Sequence, residues 1–271
     1  MITAEGFGLQ GSPGWVFRDI TFTAPAGSLI AVEGASGSGR TCLLLSLTGR
    51  MRATEGRAEV AGLRLPEQLA AVRRVAALGP VTGVAELDPA LTVGEHLRER
   101  VLLRRRFGGS LRELVRPGGT DGARVDGALT AAGLDLSTLP KGERTAARDL
   151  ERLEALRLGT ALALLARPEV LAVDDADHKL APAEREQAWA MLRGIAACGT
   201  TVLAVCTEAP EDAVVVRTRA PAADKDAAAE VAAEACDEAC DEACDEADAK
   251  TNDENTDEEG AADAHAEAGS A

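Results

Sequence analysis

The chain has 271 residues, a formal charge of −16 and 46% hydrophobic residues, with no Tyr, four Phe and two Trp. The charge is local: residues 220–271 hold 18 acidic and 2 basic side chains, which leaves 27 of each sign over residues 1–219. No run approaches the roughly 18–20 apolar residues of a membrane helix, no charged-then-apolar leader opens the chain, and the cysteines form no secreted disulfide pattern, so a cytoplasmic protein with a core of Leu, Val and Ala is expected.

Residues 15–33 read as short strands around the turn Pro25-Ala26-Gly27, ending in the buried run Ser28–Glu33. Next comes Gly34-Ala35-Ser36-Gly37-Ser38-Gly39-Arg40-Thr41, and an apolar helix opens at Thr41. The phosphate-binding loop (P-loop) pattern is Gly, four residues, Gly, Lys, then Ser or Thr; every fixed position is kept except the lysine, which is Arg40. Strand, glycine loop and helix start bring backbone N–H groups and a positive helix end to one point, which suits an anion. Arginine keeps the charge and can grip phosphate through two donors, but its planar fork does not reproduce a compact ammonium. Nucleotide binding is therefore expected to survive and fast hydrolysis is not.

Further on, Arg57–Ala61 reads as a strand ended by Gly62, and Val75–Leu78 as a core strand. From Leu91 to about Leu150 the pattern is helical, broken at Gly108-Gly109 and at Pro117-Gly118-Gly119. That part is arginine-rich, with Glu95, Glu99 and Glu113 interspersed and no interleaved aromatics. This favours a solvated face, or contact with a membrane partner or its lipid headgroups, over nucleic acid. A helix from Leu150 through Leu165 precedes the apolar strand Val170–Val173, which ends in Asp174-Asp175. A helix over Glu184–Ala197 and a buried strand over Thr201–Val205 complete the pattern. Strands alternating with helices predict an α/β fold with a mostly parallel sheet covered on both faces. Cys42, Cys198 and Cys206 lie in apolar stretches, as small hydrophobes do. Beyond Ala220 alanine and acid predominate, too polar to offset ordering entropy, so a disordered tail is expected. Within it Glu-Ala-Cys-Asp occurs three times from Glu234 to Asp245. On a helix Cys236, Cys240 and Cys244 would share a face and suit a soft metal, but expansion of a low-complexity repeat is the preferred reading.

In phosphate-binding ATPases a strand-end aspartate and the P-loop hydroxyl hold Mg²⁺, and Thr41 and Asp174 are the matching pair. With the segments Leu87–Leu97 and Leu164–Leu171 added, the chain over roughly residues 9–210 resembles the ATP-binding cassette of ABC transporters. The resemblance implies a P-loop NTPase with a RecA-like core, an antiparallel β-subdomain and a helical subdomain at about residues 88–150, all within residues 1–219, followed by the acidic tail at 220–271. It also implies a cassette dimer, of like or unlike chains, that sandwiches ATP and works a separate membrane-spanning subunit from the cytoplasmic face. ATP would bind at Gly34, Ala35, Ser36, Gly37, Ser38, Gly39, Arg40 and Thr41, with Mg²⁺ on Thr41 and Asp174. Trp15, or failing it Phe17, would stack on adenine; a core position is the other reading of either.

The departures from the family cluster at the chemistry. Leu150-Glu151-Arg152-Leu153-Glu154 stands in place of the signature Leu-Ser-Gly-Gly-Gln, and the water-positioning glutamate is Asp175, one methylene shorter. The switch histidine is Thr207, the glutamine-loop position falls at Pro80 and the D-loop aspartate at Ala181. His178 reads as a solvated loop residue. The expected function is thus an ATP-binding transporter subunit with weakened hydrolysis; a non-hydrolysing nucleotide-binding regulatory module is the alternative.

Overall fold

The computed structural model describes residues 1–12, 14–107 and 119–219. The readings made for the glycine-rich stretch at 108–118 and for the acidic tail fall outside the described residues. Among the described residues nine strands form two sheets. Strands β1 (Ile2–Gln10), β2 (Trp15–Ala24), β4 (Glu55–Val60) and β5 (Leu63–Leu65) make an antiparallel sheet in the order β2-β1-β4-β5. Strands β3 (Leu29–Glu33), β6 (Ala76–Leu78), β7 (Val170–Val173), β8 (Thr201–Cys206) and β9 (Val214–Arg217) make a parallel sheet in the order β6-β7-β8-β3-β9. Among the described residues six helices accompany them: α1 (Arg40–Leu47), α2 (Leu69–Val75), α3 (Val93–Phe107), α4 (Gly119–Ala131), α5 (Arg152–Leu164) and α6 (Pro182–Ala197). Three short 3₁₀ turns between α4 and α5 complete the described part of the helical region.

The parallel sheet is apolar on both faces because both are covered. Every residue of β7 and β8 is buried, as expected of parallel strands flanked by other layers. Strand alternation divides the core in two. Ile30, Val32, Ala172, Leu203 and Val205 face α1 and the antiparallel sheet. Leu29, Ala31, Leu171, Val173, Val202 and Ala204 face α5 and α6. Helix α1 buries all of Cys42–Leu47, so the P-loop rests on a helix fixed on every side. At α6, Pro182 supplies a preset first turn, and Glu184 accepts the Ala181 N–H at 2.7 Å, satisfying one helix-end donor.

Strands β1, β5 and β9 and helix α2 are additions to the sequence reading. Hydrophobic periodicity is weak in them, and β1 is defined by its pairing with β2 and β4. Cys198 departs from its expected apolar setting: it caps the C-terminus of α6 and is exposed, whereas Cys42 and Cys206 are buried. Among the described residues no helix is long and apolar enough to cross a membrane.

Leu171 is fully buried in β7, against α5 and α6. Truncation by Leu171→Ala is expected to cost about 2–5 kcal/mol of unfolding free energy, read from the shift of a urea melt.

Candidate functional site

The strand order places the end of β8 between the P-loop, which follows β3, and Asp174-Asp175, which follows β7. The site is built around that central strand end. The P-loop's Ala35, Ser36 and Gly37 form an exposed crest, while Ser38 and Gly39 are buried beneath it. Two glycines make the turn possible. Gly39 has φ +78, and a Cβ there would collide with the Val16 carbonyl. A Cβ on Gly34 would strike the Thr218 hydroxyl and stand 2.5 Å from Ser38 Oγ. In the space so kept, Ser38 Oγ and Thr218 Oγ1 hydrogen-bond at 2.7 Å, both residues being buried. Thr218 also donates its N–H to the Glu33 carbonyl at 2.9 Å, so the chain after β9 is stitched to the base of the loop. Nothing in the local sequence around position 218 signals this contact.

Thr41 donates its hydroxyl to Asp174 Oδ2 at 2.9 Å, and Asp174 Oδ1 accepts the Asp175 N–H at 3.1 Å. The predicted hydroxyl–carboxylate pair is therefore brought together across the end of β8. Asp174 is 4% exposed. Burial pushes its carboxyl above the ordinary range; the Thr41 hydrogen bond opposes this, and the neighbouring Asp175 charge adds to it. Asp175 adopts a left-handed φ of +47, uncommon for a residue with a side chain, and Arg152 donates from Nη2 to its carbonyl at 3.3 Å. Pro80, at the glutamine-loop position, accepts the Asp174 N–H through its carbonyl at 3.0 Å. A cavity of about 250 Å³ beside Asp174 is lined by Pro80, Thr82, Arg148 and Arg152.

Arg40 points away from the loop's crest: its Nη1 donates to the Cys206 carbonyl, the last of β8, at 2.6 Å. The next residues are held from the other side. Asp177, buried and unforeseen in the sequence reading, accepts the Thr207 N–H at 2.9 and 3.0 Å and the Glu208 N–H at 3.1 Å. The Asp174–Asp177 turn is further tied to β8 by the Ala176 N–H, which donates to the Val205 carbonyl at 2.9 Å. Arg40 and Asp177 thus clamp the segment Cys206-Thr207-Glu208, in which the sequence resemblance set the switch position at Thr207. Burial, reinforced by Asp177 and Glu33, pushes the Cys206 thiol up to about 12. His178 is exposed, as expected.

Other predicted positions are not gathered at the loop. Trp15 is half-buried at the start of β2, over Gly8, with the Arg18 guanidinium 5.4 Å from its ring centroid; its link to the P-loop is the adjoining Val16. Phe17 packs in the core against Phe7 at 6.0 Å between ring centroids. Glu151 and Glu154, at the signature position, lie at the start of α5, where Glu154 accepts the Glu151 N–H at 2.9 Å.

Two outcomes follow from Asp174 and Asp177. The raised pKa of Asp174 means that the folded chain holds this proton more tightly than the unfolded one, so its stabilising effect is present at low pH and lost as pH rises through the raised value. Asp174→Asn is then expected to raise the stability of the ligand-free protein at neutral pH by on the order of 1 kcal/mol, a gain that shrinks as pH falls, in denaturant melts across pH. Asp177→Ala orphans two switch-segment N–H groups, and amide exchange at Thr207 and Glu208 is expected to quicken about 10- to 100-fold.

The comparisons with known proteins agree with this geometry. The family model described as ABC transporter matches residues 17–178. The chain is 30% identical over 188 residues to the Nod factor export ATP-binding protein I of Rhizobium johnstonii, covering 69% of this chain and 55% of that protein. It is 33% identical over 135 residues to the cytochrome c biogenesis ATP-binding export protein CcmA of Methylococcus capsulatus, covering 49% of this chain and 58% of that one. The chain spans little more than half the length of these curated relatives. In fold it is similar to a dimeric ATP-binding cassette in a post-hydrolysis state bound to ADP and Pi, with a TM-score of 0.64 at 18% identity over 81% of this chain and 95% of that chain. A bacterial Atm1-family ABC exporter with ATP bound gives 0.60 at 20% identity, over 80% of this chain and 37% of the other. The residues matched by the family model take in the P-loop and the Asp174–Asp177 turn, and on this evidence the chain belongs to the ABC transporter family, as an ATP-binding cassette.

Proposed function

We propose that the chain is the nucleotide-binding subunit of an ABC-type transporter, which binds ATP with Mg²⁺ at Gly34–Thr41, works a separate membrane-spanning subunit and hydrolyses ATP weakly. The observation that carries this reading is the Thr41–Asp174 hydrogen bond at the foot of a glycine loop that only a backbone without Cβ can form. The donor set fits magnesium: the Thr41 hydroxyl and the Asp174 carboxylate are hard oxygen donors, and the ion is usually held by one or two carboxylates together with water and substrate phosphate. Among the described residues no three His, Cys, Asp or Glu side chains gather to hold a metal unaided, so the pair completes its site with nucleotide. Held by Thr41 and Asp174, magnesium would neutralise charge on the phosphate.

The chain's own residues account for weak turnover. Arg40 has to give up the Cys206 carbonyl before its guanidinium meets phosphate, so nucleotide binding works against an existing bond. Asp175 is the water-positioning group, held by the backbone grip of Arg152, with a side chain one methylene shorter than glutamate. Glu151 and Glu154 would bring negative charge to the face that a second cassette presents to phosphate. Trp15 supplies the adenine-stacking ring. Residues 1–219 are the cassette, with the helical subdomain at about 88–150, and residues 220–271 are an acidic, Ala-rich low-complexity tail. The relatives named for export suggest a like setting, in which two cassettes, identical or not, sit at the cytoplasmic face of a membrane partner.

The Arg40–Cys206 bond also motivates a second reading, a regulatory module that binds nucleotide without cleaving it. Calorimetry with Mg-ATP separates the outcomes. Saturable binding to the full chain, weakened by Arg40→Ala, is expected; no binding in the presence of Mg²⁺ would sink both readings. Asp175→Asn is expected to lower any steady ATP turnover by about 10²-fold or more. Turnover that Asp175→Asn leaves unchanged would remove its catalytic assignment, and binding with no turnover at all would favour the regulatory module.

A further inference from the structure

The chain that follows β9 holds the phosphate loop at both of its ends. At the entry, Glu33 Oε2 accepts from Arg217 Nε at 2.8 Å, and the Glu33 carbonyl accepts the Thr218 N–H at 2.9 Å. At the exit, Ser38 Oγ and Thr218 Oγ1 lie 2.7 Å apart. The two side-chain contacts differ in setting. Arg217 is exposed, and a surface ion pair contributes little. Ser38 and Thr218 are both buried, where a hydroxyl needs a protein partner. The Thr218 hydroxyl has a second acceptor in the Glu33 carbonyl, at 3.5 Å. Among the described residues, Ser38 Oγ has Thr218 alone.

Ser38 sits where the loop turns into the helix. Its N–H donates to the Ala35 carbonyl at 3.1 Å, which closes the exposed crest Ala35–Gly37 into a turn. Gly39 then passes beneath Val16 with φ +78, and Arg40 and Thr41 open α1. The first N–H groups of a helix have no intrahelical partner and are free for an anion. A Ser38 side chain turned inward therefore fixes the crest and the direction in which those groups point. The inward turn is open to it because Gly34 lacks a Cβ, which would stand 2.5 Å from Ser38 Oγ.

We infer that Thr218 is a positioning residue for nucleotide: through its hydroxyl bond to Ser38 it holds the phosphate loop in its binding shape, from 180 residues downstream. The inference rests on the reading of Gly34–Thr41 as the ATP site. Without the Thr218 hydroxyl, the Ser38 hydroxyl is buried and unpaired, a cost that the loop relieves by turning Ser38 outward and giving up the preformed crest. Order that the free loop no longer holds must be restored on binding, and affinity falls by that amount.

Calorimetry of the full chain with Mg-ATP tests this, together with amide exchange of the ligand-free protein. Thr218→Val keeps the shape of the side chain without its hydroxyl. It is expected to weaken Mg-ATP binding about 10-fold and to quicken exchange of the Ser38 amide by a similar factor. Thr218→Ser, which retains the hydroxyl, is expected to restore both. Ser38→Ala removes the same bond from the loop's side at the same cost, and serves alone should Thr218→Val fold poorly. Because the two act through one bond, the double variant is expected to lose about 10-fold, not the ~100-fold of independent effects. Unchanged affinity in Thr218→Val, no rescue by Thr218→Ser, or a ~100-fold loss in the double variant overturns the proposal and leaves the ATP site standing. An unaltered chain that binds no Mg-ATP sinks the ATP site itself, and the proposal with it.

Discussion

Asp174 is the residue on which the arrangement turns. It is a carboxylate buried at a strand end, held by one hydroxyl and one N–H, and burial disfavours its charged form. That cost is tolerable where a cation is to be placed, since a divalent ion reverses the local electrostatics. Thr41 can reach Asp174 only because α1 starts directly beneath the glycine loop, and that start depends on Gly39 passing under the Val16 carbonyl. The antiparallel sheet, which supplies Val16, is in this sense part of the phosphate site.

The end of β8 links the two halves of the site. Arg40 holds its last carbonyl and Asp177 holds the two N–H groups that follow. A lysine, with a compact ammonium, would face a different choice of partners from a planar guanidinium. The substitution at position 40 thus moves a charge from the loop's crest to its floor, and connects the P-loop directly to the switch segment. Departures that look independent in the sequence, Arg40, Thr207 and the turn after Asp175, meet within a few hydrogen bonds of one another.

Charge is divided along the chain in the same deliberate way. The fold is balanced and the acidic segment is not, and the balance is local too: the groove between β6, α3 and the end of α5 is lined by Arg50, Arg73 and Arg100 and by Glu86, Asp88 and Glu99. Exposed pairs such as Arg57–Glu5 and Arg193–Asp212 account for other arginines. Such surface pairs contribute little to stability.

The sequence by itself determined four of the five parallel strands (β3, β6, β7 and β8), the P-loop and the pairing of Thr41 with Asp174, because burial on both faces and a glycine loop leave marks within a few residues. It also marked Arg40 as a departure. Only the tertiary structure decided what Arg40 touches, that Asp177 and not Thr207's side chain fixes the switch segment, and that Thr218 supports the loop from 180 residues away. Each of those contacts depends on the order β7-β8-β3-β9, which sets whose carbonyls and hydroxyls lie side by side. Hydrophobic periodicity records which residues are buried, and carries no term for which strand becomes the neighbour.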